Sequence, residues 1–578
     1  MADLATGADQ PAALAERARQ QYRLLRIGVL ALLVLGCAIP FSLNLTDPDL
    51  WGHVRYGQDW LAEGRMPRTA THTFTAVGYP WVNHENAAEL LFALGYEHAG
   101  IYVMLALKCL LGVAILATMV WVARLHGVSA LATWALLLLV ASNMQAFFPM
   151  RPQLLSFALC TIALVCLDRG FARWDEGRRI RFAWLGALPV VFIAWVNSHG
   201  GFMAGLCIVG AYLLGRMLEL LLADGWAPSM KKLAALAAIG IGCVAATVVN
   251  PYGLGMHQWL WSAWGGAPPE ITEWAPPLPG KPVFWPFVSL VAVAIVCLAG
   301  SRRRRDWTQI VILALVTWQA CLHLRHIAFV ALLCGFWLPV HWQSALVRLR
   351  PDADRRLPMV LPALWLRLAM TAAIVLGIVL QSTALARRLS DLPVLRSQYP
   401  VDAIQFMVDN RLSGKLVVAF NWAQYALAAL APDCTVGFDG RFDTCYPQEA
   451  IDVHFDFLLG DCTGPRERRP GAGPIDGTRV LDYHQPDLVL LQRKYQHCVA
   501  TMEAEAAKAT PAWTRLYRDS VAEVWGRASR YDDPASPHYL PPEARRLDVR
   551  LLEAEFQWPA MPDRSLWEEA GASPLAAN

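Results

Sequence analysis

Long apolar runs separated by short polar segments fill the first two thirds of the chain. A helix needs about 20 mostly apolar residues to cross the hydrocarbon core of a bilayer. Runs of this kind begin near residues 24, 100, 129, 153, 183, 202, 233, 283, 308, 327 and 358. The pattern predicts a polytopic α-helical membrane domain of about eleven spans over residues 24–384.

The last third of the chain has shorter apolar runs. "GKLVVAF" (414–420) and "QPDLVLLQRK" (485–494) are typical of strands, and "NWAQYALAAL" (421–430) is typical of a helix. "TRLYRDSVAEVWGR" (514–527) alternates on both sides of a turn, as a β-hairpin does. We therefore predict a small C-terminal α/β domain outside the membrane, over residues 385–530.

The two ends of the chain differ from both regions. Residues 1–23 are polar and contain no cleavage site before the first span, which is therefore expected to be retained as an anchor. Residues 531–578 are rich in Pro, Asp and Glu, and we expect them to form a peripheral or partly disordered tail.

The composition agrees with a membrane protein. Hydrophobic residues make up 56% of the chain and charged residues only 17%, whereas soluble proteins carry about 25% charged residues. Many of the 24 Trp lie near predicted span ends, as in interfacial aromatic belts. The net charge of +3 is uninformative on its own, and no nucleic-acid partner is expected.

Lys and Arg concentrate in every second loop. They lie at Arg17, Arg19, Arg23, Arg26, Arg124, Lys231 and Lys232, and within 168–181, 301–306 and 348–356. Cytoplasmic loops carry such an excess of basic residues. The N-terminus is then cytoplasmic, and the α/β domain lies outside, together with the loops at 44–99, 148–152, 197–201, 250–282 and 322–326.

Mixed polar motifs lie almost entirely on this predicted outer face. They are "TDPDLWGH" (46–53), "WVNHENAAEL" (81–90), "RPQLLSF" (151–157), "WVNSHGG" (195–201), "NPYG" (250–253), "EITEW" (270–274) and "HLRH" (323–326). Ionisable groups at membrane depth are costly unless they are paired or face water. The motifs therefore predict a shared outward-facing cavity.

The first of these motifs carries Asp47, Asp49 and His53. One Asp could cap the helix that follows, but a cap needs a single acceptor. The three side chains could hold a divalent metal through oxygen and imidazole ligands. Alternatively, one Asp could act as a general base towards an acceptor hydroxyl.

The other motifs add further candidates, each with a structural alternative. His84 and Glu85 could supply a ligand or a proton relay, or mark the start of an interfacial helix. Arg151 could bind an anionic phosphate or extend to the interface, and Arg325 and His326 add positive potential. Further cavity candidates are Gln153, Asn197, His199 and Glu273.

Four cysteines lie in the predicted outer domain: Cys434, Cys445, Cys462 and Cys498. Their spacing fits no zinc-binding pattern. They could form one or two disulfides or remain free thiols.

The order of the motifs resembles the GT-C superfamily of integral-membrane glycosyltransferases, and in particular a bacterial branch. That branch carries "D-x-D-x-W-W-H", "P-W-x-x-H-E-W-L", "R-P-Q-L-x-S", "N-x-H-G-G", "N-P-Y-G" and a terminal α/β region. The matching segments here are "DPDLWGH", "PWVNHENAAEL", "RPQLLSF", "NSHGG", "NPYG", "GFDGRFDTCY" and "QPDLVLLQR". The resemblance extends from about residue 24 to residue 527.

The resemblance implies an enzyme of the bacterial inner membrane that transfers a sugar, with inversion, from a polyprenyl-phosphate carrier to an extracytoplasmic acceptor. Asp47 or Asp49 would be the general base, or would help to hold Mg²⁺ or Mn²⁺ together with His53. Arg151, Arg325 and His326 would hold the donor phosphate.

Two positions depart from the family pattern. Gly52 replaces the second Trp of the first motif, and Asn86 replaces the Trp that follows His84 and Glu85. Both changes remove an aromatic side chain that could line a sugar or lipid site. The alternatives are a lipid or glycan transporter or flippase, although no internal repeat of the kind found in transporters is evident, and a non-catalytic assembly protein.

Overall fold

The computed structural model describes residues 9–262, 270–349, 363–461, 468–551 and 554–565, with residues 9–19 described by their backbone alone. Cys462 and the end of the predicted tail (566–578) lie outside this part. The helices of the membrane region are α1 (Asp9–Ala38), α2 (Leu50–Glu63), α3 (Asn86–Leu125), α4 (Ala130–Met144), α5 (Gln153–Gly170), α6 (Phe182–Leu185), α7 (Leu188–Val196), α8 (Phe202–Asp224), α9 (Trp226–Ala246), α10 (Gly255–Ser262), α11 (Phe284–Gly300), α12 (Trp307–Leu322), α13 (Ile327–Trp337), α14 (Pro339–Leu349) and α15 (Leu364–Leu389).

Among the described residues, seven helices are long and apolar enough to cross a membrane: Gln20–Ser42, Asn86–Leu125, Ala130–Phe147, Gln153–Gly170, Phe202–Asp224, Trp226–Ala246 and Leu364–Leu389. The pair Leu324–Trp337 and Pro339–Leu349, bent by 61°, qualifies as an eighth span if it crosses as one. Three shorter apolar segments are Phe182–Val196, Phe284–Gly300 and Trp307–Leu322. Every predicted run coincides with one of these segments, so the chain is a polytopic helical membrane protein.

Half of the predicted outer loop at 44–99 is helical. Helix α3 begins at Asn86 and is interrupted at Gly100, where φ is 75°. The part of α3 before this break packs against α2, and Gly57 permits the close approach, because a Cβ there would lie 2.2 Å from the Glu89 carbonyl oxygen. Glycine adopts a positive φ at no steric cost, so the chain can turn from an outer helix into a span at Gly100.

The terminal domain contains a five-stranded mixed sheet in the order β3-β2-β4-β6-β5. The strands are β1 (Pro393–Leu395), β2 (Gly414–Val418), β3 (Cys434–Val436), β4 (Leu488–Gln492), β5 (Trp513–Arg518), β6 (Ala522–Arg527) and β7 (Glu555–Gln557), and the helices are α16 (Val401–Asp409), α17 (Ala423–Leu430), α18 (Gln448–Leu459), α19 (Gln496–Ala506) and α20 (Ala528–Tyr531). Strand β2 is parallel to β3 and β4, and β6 is antiparallel to β4 and β5. The structure therefore has a strand or helix at each predicted position, including the hairpin.

The outer helix α2 and the terminal domain share one hydrophobic core. The Trp51 ring is 1% exposed and lies 5.1 Å from the ring of Tyr399 and 4.8 Å from that of Tyr425. A separate core fills the interior of the membrane bundle. The terminal domain is thus fixed to the first outer segment of the chain by apolar packing.

A few residues of the tail are packed into this shared core, while most of its described residues are exposed or half-buried. Strand β7 pairs antiparallel with β1. Trp558 is 4% exposed, the Trp51 indole donates to the Pro559 carbonyl at 2.8 Å, and the Tyr425 hydroxyl donates to that of Ala560 at 2.5 Å. A few apolar residues in a polar segment are enough to dock it.

Cys434, Cys445 and Cys498 are buried free thiols in the structure. The sequence left disulfides and free thiols open as alternatives, and the described cysteines of the terminal domain are free thiols.

Candidate active site

Arg151, directly before α5, lies among three carboxylates that are far apart in the sequence. Its Nε atom is 2.6 Å from Asp47 Oδ2, its Nη2 atom is 2.9 Å from Asp49 Oδ2, and its Nη1 atom is 2.9 Å from Glu273 Oε1. All three guanidinium nitrogens are therefore engaged. We call these four residues the arginine cluster. Because three carboxylates surround one guanidinium, the cluster as a whole carries an excess of negative charge.

The carboxylates of Asp47 and Asp49 have different surroundings. Asp47 is 7% exposed, and its Oδ1 atom accepts the Asp49 backbone N–H at 3.0 Å. Asp49 precedes α2, but its side chain does not cap that helix. Burial raises the pKa of Asp49 to about 6, opposed by the nearby charge of Arg151. Asp49 can therefore exchange a proton near neutral pH.

A second group, the histidine cluster, consists of His53, Glu85 and Glu89. His53 Nδ1 lies 3.6 Å from Glu89 Oε1 and 3.9 Å from Glu85 Oε2. One ligand atom from each residue lies within 4.8 Å of the others, which is close enough for all three to hold one metal ion. Asn83 Nδ2 donates to Glu89 Oε2 at 2.5 Å and so orients that carboxylate. His53 Nδ1 is buried and has no hydrogen-bond partner among the described residues.

The two carboxylates of the histidine cluster need a positive charge to balance them, from either a protonated imidazole or a metal ion. Burial opposes a charge on His53, but the carboxylates of Glu89, Glu85 and Asp49 raise its pKa to about 9. Burial also opposes ionisation of Glu85, yet His84, His53 and other neighbouring basic groups lower its pKa. A proton on His53 can therefore supply the positive charge that a metal ion would otherwise bring.

His199 borders the histidine cluster at the other end of Glu85. The Trp195 indole donates to Ser156 Oγ at 2.7 Å, and this hydroxyl is 2.8 Å from His199 Nδ1. The same Nδ1 accepts the Gly201 N–H at 3.0 Å, so in the neutral ring the proton is on Nε2, which is 3.7 Å from Glu85 Oε1. Burial lowers the pKa of His199 to about 3, and the ring is neutral at physiological pH.

His84 connects the histidine cluster to the terminal domain. Its ring stacks on Trp259 at 5.5 Å, and its Nε2 atom is 3.8 Å from Glu85 Oε1. Burial raises the pKa of Asp443, a residue of the terminal domain, with His84 opposing the shift. The terminal domain thus brings a carboxyl group close to the predicted site.

Arg325 is a second arginine on this face. Its guanidinium lies over the Trp274 ring, 4.4 Å from the centroid, and His326 follows it. It interacts electrostatically with Glu273, Glu85 and Arg151 but forms no ion pair with a carboxylate of the described residues. Unlike Arg151, Arg325 therefore keeps its charge available for an anion.

Gln153 and Asn197, two predicted cavity candidates, donate to backbone carbonyls instead. Gln153 Nε2 donates to Phe147 at 2.8 Å. Asn197 Nδ2 donates to Ile193 at 2.8 Å and to Val249 at 2.9 Å. In the structure both side chains secure the ends of helices.

A buried ion pair joins the terminal domain to the outer helices. Asp439 accepts from Arg441 Nε at 2.9 Å and from the Tyr446 hydroxyl at 2.6 Å. The Arg441 guanidinium lies 4.6 Å from the Tyr56 ring centroid and 4.8 Å from that of Trp81. The "GFDGRFD" motif therefore fixes the orientation of the domain over the site.

The sequence motifs contain Glu89 and Ser156 but give no indication that Asp443 reaches the site. Glu89 lies one helical turn after Glu85, a spacing that places both on one helix face. Ser156 lies inside the "RPQLLSF" motif. Asp443 carries no such local signal, because it comes from the terminal domain and reaches the site only through tertiary packing.

Comparisons with known proteins identify the fold. No family model and no curated relative matches the sequence. The structure is similar to that of an oligosaccharyltransferase from Archaeoglobus fulgidus tethered to an acceptor peptide containing an NVT sequon, with a TM-score of 0.52 and 12% identity over 82% of this chain and 69% of that one. It is also similar to ArnT from Cupriavidus metallidurans bound to undecaprenyl phosphate, with a TM-score of 0.50 and 14% identity over 90% of this chain and 99% of that one.

Both of these proteins are GT-C glycosyltransferases. The chain therefore has the GT-C fold: a polytopic helical membrane domain followed by a C-terminal domain that contains a sheet.

Proposed function

We propose that the protein is a membrane glycosyltransferase that transfers a sugar from a polyprenyl-phosphate carrier to an extracytoplasmic acceptor. The observation that carries this proposal is that Asp49, a carboxylate that titrates near neutral pH, and Arg325, a cation without an ion-pair partner among the described residues, both interact electrostatically with Arg151 and Glu85. A transferase of this class needs a base for the acceptor and a positive charge for the departing phosphate. The GT-C fold, shared with ArnT bound to undecaprenyl phosphate, supports the lipid-linked donor.

In this proposal Arg325 binds the donor phosphate. A guanidinium presents several N–H donors in a planar array that matches phosphate oxygens. The stacked Trp274 ring holds the guanidinium in place, and His326 adds a further donor next to it. Arg151 acts on the donor indirectly, because its three nitrogens already hold Asp47, Asp49 and Glu273.

Asp49 is the general base. Its Oδ2 atom is held by Arg151, whereas Oδ1 has no partner among the described residues and can accept a proton from the acceptor. Asp47 is more deeply buried and supports the backbone of Asp49 through its Oδ1 atom. The acceptor oxygen attacks the anomeric carbon from the side opposite the phosphate, which inverts the configuration.

The histidine cluster fits a divalent cation. Two of its ligands, His53 and Glu85, are candidate ligands in the sequence as well, whereas Asp47 and Asp49 are engaged by Arg151. One imidazole and two carboxylates suit Mn²⁺ or Zn²⁺ better than Mg²⁺, which prefers oxygen ligands alone. A cation held by His53, Glu85 and Glu89 would supply further positive charge near the leaving phosphate.

The same proposal sets the orientation of the protein. The loops of both clusters and the terminal domain lie on one face of the helical bundle, since Asn44 and Thr46 of the first outer loop donate to the backbone of residues 391 and 393. We propose that this face is periplasmic in a bacterial inner membrane and that the N-terminus is cytoplasmic, as the distribution of basic loops indicates.

A reconstitution assay tests the function. Purified protein in vesicles is supplied with a radiolabelled polyprenyl-phosphate hexose and a membrane extract, and the release of polyprenyl phosphate is measured. We expect turnover in the wild type and, in Asp49→Asn, a loss of about 100-fold or more because the general base is removed.

Asp409→Asn is the matched control, because Asp409 is a half-buried carboxylate of α16 that accepts only from Gln405 among the described residues. Full turnover in Asp49→Asn would remove the role of this residue. A wild type that moves the intact lipid-linked sugar across the bilayer without cleaving it would support a flippase instead.

A further inference from the structure

A cavity of about 200 Å³ lies at the end of the helical bundle that faces away from the candidate active site. Its walls come from the loop after α3, the loop after α11 and helix α14. Helix α12 begins beside this cavity and ends beside Arg325, and α4 begins beside it and ends shortly before Arg151. The cavity is therefore separated from both clusters by the length of these helices, and the proposed transfer does not use it.

Hydrogen bonds join the three parts of the chain that form this basic cavity. Ser344 Oγ, on α14, accepts the backbone N–H of Arg302 at 3.0 Å. Gln343 Oε1, also on α14, accepts the backbone N–H of Ser129 at 2.6 Å. Helix α14 is thus fixed to the loops on either side of it by contacts that do not need the arginine side chains.

Three arginines line the basic cavity: Arg302, Arg303 and Arg348. All three are exposed, and none of them forms an ion pair with a carboxylate of the described residues. Arg348 Nη1 donates only to the Gly300 carbonyl, at 3.3 Å. Among the described lining residues none is acidic. The cavity therefore has an uncompensated positive charge, which favours an anion.

The two arginines that follow in the same loop are different, because they lie outside the cavity and have partners in the protein. Arg304 Nη1 is 3.1 Å from Asp175 Oδ1. Arg305 Nε donates to the Leu298 carbonyl at 3.1 Å. A basic loop that served only to orient the protein in the membrane would not require this division between arginines inside and outside a cavity.

The size of the cavity and its apolar surroundings indicate which anion it fits. Pockets for drug-sized molecules begin at about 300 Å³, so a cavity of about 200 Å³ suits a phosphate headgroup better than a nucleotide-linked sugar. On α14, the apolar side chains of Val347 and Leu349 are exposed on either side of Arg348, a combination typical of helices at a membrane interface. Trp307, directly after the arginine loop, is exposed as well and is of the residue type enriched at this depth.

We propose that the basic cavity binds the phosphate headgroup of an anionic phospholipid, whose acyl chains lie along the exposed apolar side chains of α14. Basic pockets between membrane helices hold such headgroups, and a guanidinium can bind two phosphate oxygens at once. A bound headgroup connects the arginine loop to α14 and so stabilises this end of the bundle. In the orientation proposed above, the lipid belongs to the cytoplasmic leaflet.

Two matched double variants test whether the cavity or only the charge of the loop matters. Arg302→Gln with Arg303→Gln removes two positive charges from the cavity. Arg304→Gln with Arg305→Gln removes the same charge from the same loop outside the cavity and is the control. The backbone bond between Arg302 and Ser344 is available in both variants, so we expect both to fold.

The full-length protein, purified in a neutral detergent, is titrated with dihexanoyl phosphatidylglycerol, dihexanoyl phosphatidylcholine and inorganic phosphate. The increase in unfolding temperature with ligand concentration gives the apparent affinity. We expect the wild type and the control to bind phosphatidylglycerol equally, and the other two ligands much more weakly. The cavity variant should bind phosphatidylglycerol about 25-fold more weakly, since each arginine next to an anionic lipid contributes a factor of about five.

Equal losses of affinity in the two double variants would overturn the inference, because the cavity would then have no special role. Equal binding of phosphatidylcholine would exclude recognition of the anionic headgroup, and equal binding of inorganic phosphate would make the cavity a site for a free anion. If the cavity variant does not fold, Arg348→Gln tests the site from α14. We expect this variant to bind phosphatidylglycerol about fivefold more weakly, and an unchanged affinity would contradict the proposal. None of these measurements depends on glycosyl transfer.

Discussion

The arginine cluster and the histidine cluster lie side by side on one face of the protein, and each gathers carboxylates around a single basic group. In the arginine cluster that group is Arg151, which is charged at every accessible pH and engages three carboxylates at 2.6–2.9 Å. In the histidine cluster it is His53, whose Nδ1 atom lies at the longer distances of 3.6 and 3.9 Å from Glu89 and Glu85. The first cluster is closed by ion pairs, and the second has room for a cation.

This difference assigns separate tasks to the two clusters. A permanent guanidinium fixes the geometry of Asp47 and Asp49 and keeps one oxygen of Asp49 directed away from it. An imidazole can exchange its proton for a metal ion, so the charge of the histidine cluster can change with pH and metal supply. In the proposed mechanism, geometry for the base and charge for the leaving group are thus provided by different residues.

Removal of the guanidinium should have the largest effect. Arg151→Ala leaves three carboxylates without a counter-ion. We expect it to lower the free energy of unfolding by about 2–3 kcal/mol. This is the lower end of the range for broken buried ion pairs, because Asp49 and Glu273 are partly exposed. Transfer activity should be abolished, because Asp49 is no longer held. Thermal unfolding and turnover are measured in parallel. Arg173→Ala, which breaks only an exposed ion pair with Glu176, is the control. If Arg151→Ala has the same thermal unfolding and turnover as this control, the arginine cluster is not a structural unit.

Loss of one carboxylate from the histidine cluster should weaken metal binding. Glu89→Gln is expected to lower the Mn²⁺ affinity of the protein by about 100-fold, while folding is retained because Asn83 can still bond to the amide. Isothermal titration of the chelator-treated protein with Mn²⁺ measures this. Glu505→Gln, which alters a buried carboxylate of the terminal domain, is the control. Equal Mn²⁺ affinities in the wild type, Glu89→Gln and Glu505→Gln would exclude a metal site in the histidine cluster.

The pH dependence separates the two clusters further. Asp49 acts in its ionised form and has a pKa raised to about 6, so transfer should be maximal above pH 6 and fall tenfold per pH unit below it. Arg151 does not titrate in this range and should contribute nothing to the profile. Rates measured from pH 5 to pH 8 under saturating donor test this. A flat profile, or an increase towards acid pH, would show that Asp49 is not the base.

The smallest expected effect concerns the support of His199. Ser156→Ala removes the hydroxyl between the Trp195 indole and His199 Nδ1. One lost hydrogen bond corresponds to about 1 kcal/mol, or about a fivefold decrease in kcat. Ser142→Ala, which removes a serine hydroxyl bonded only to the Leu139 carbonyl among the described residues, should have no effect. A loss as large as that of Asp49→Asn would mean that His199 takes part in the reaction directly.

The sequence predicts the membrane part of the fold well, because the requirement for a long apolar run is local and seven of the described helices meet it within their own segments. The strands of the terminal domain are predicted for the same reason, by their apolar runs. The docking of the tail is not, since an isolated apolar anchor such as Trp558 leaves no periodic pattern in a polar segment. The predicted start of the second span near residue 100 coincides with the break in α3 at Gly100, although the sequence does not reveal the positive φ of this glycine.

The candidate site is predicted in part. The motifs identify both Asp residues, His53, Glu85 and Arg151, because these residue types are costly at a membrane surface unless they have partners. Their partners could not be assigned: the sequence leaves Asp47 and Asp49 as ligands of a metal shared with His53 or as a general base, and it does not indicate their ion pairs with Arg151. Asp443 lies hundreds of positions from His84 in the chain, and only tertiary packing brings it to the site.

The most direct measurement is an electron cryo-microscopy structure of the protein with bound polyprenyl phosphate. We expect the phosphate to contact Arg325, with one of its non-ester oxygens directed towards the space between Asp49 and the histidine cluster. A phosphate bound on the opposite face of the bundle would contradict the proposed function. So would a phosphate that does not contact Arg325 and lies far from Asp49.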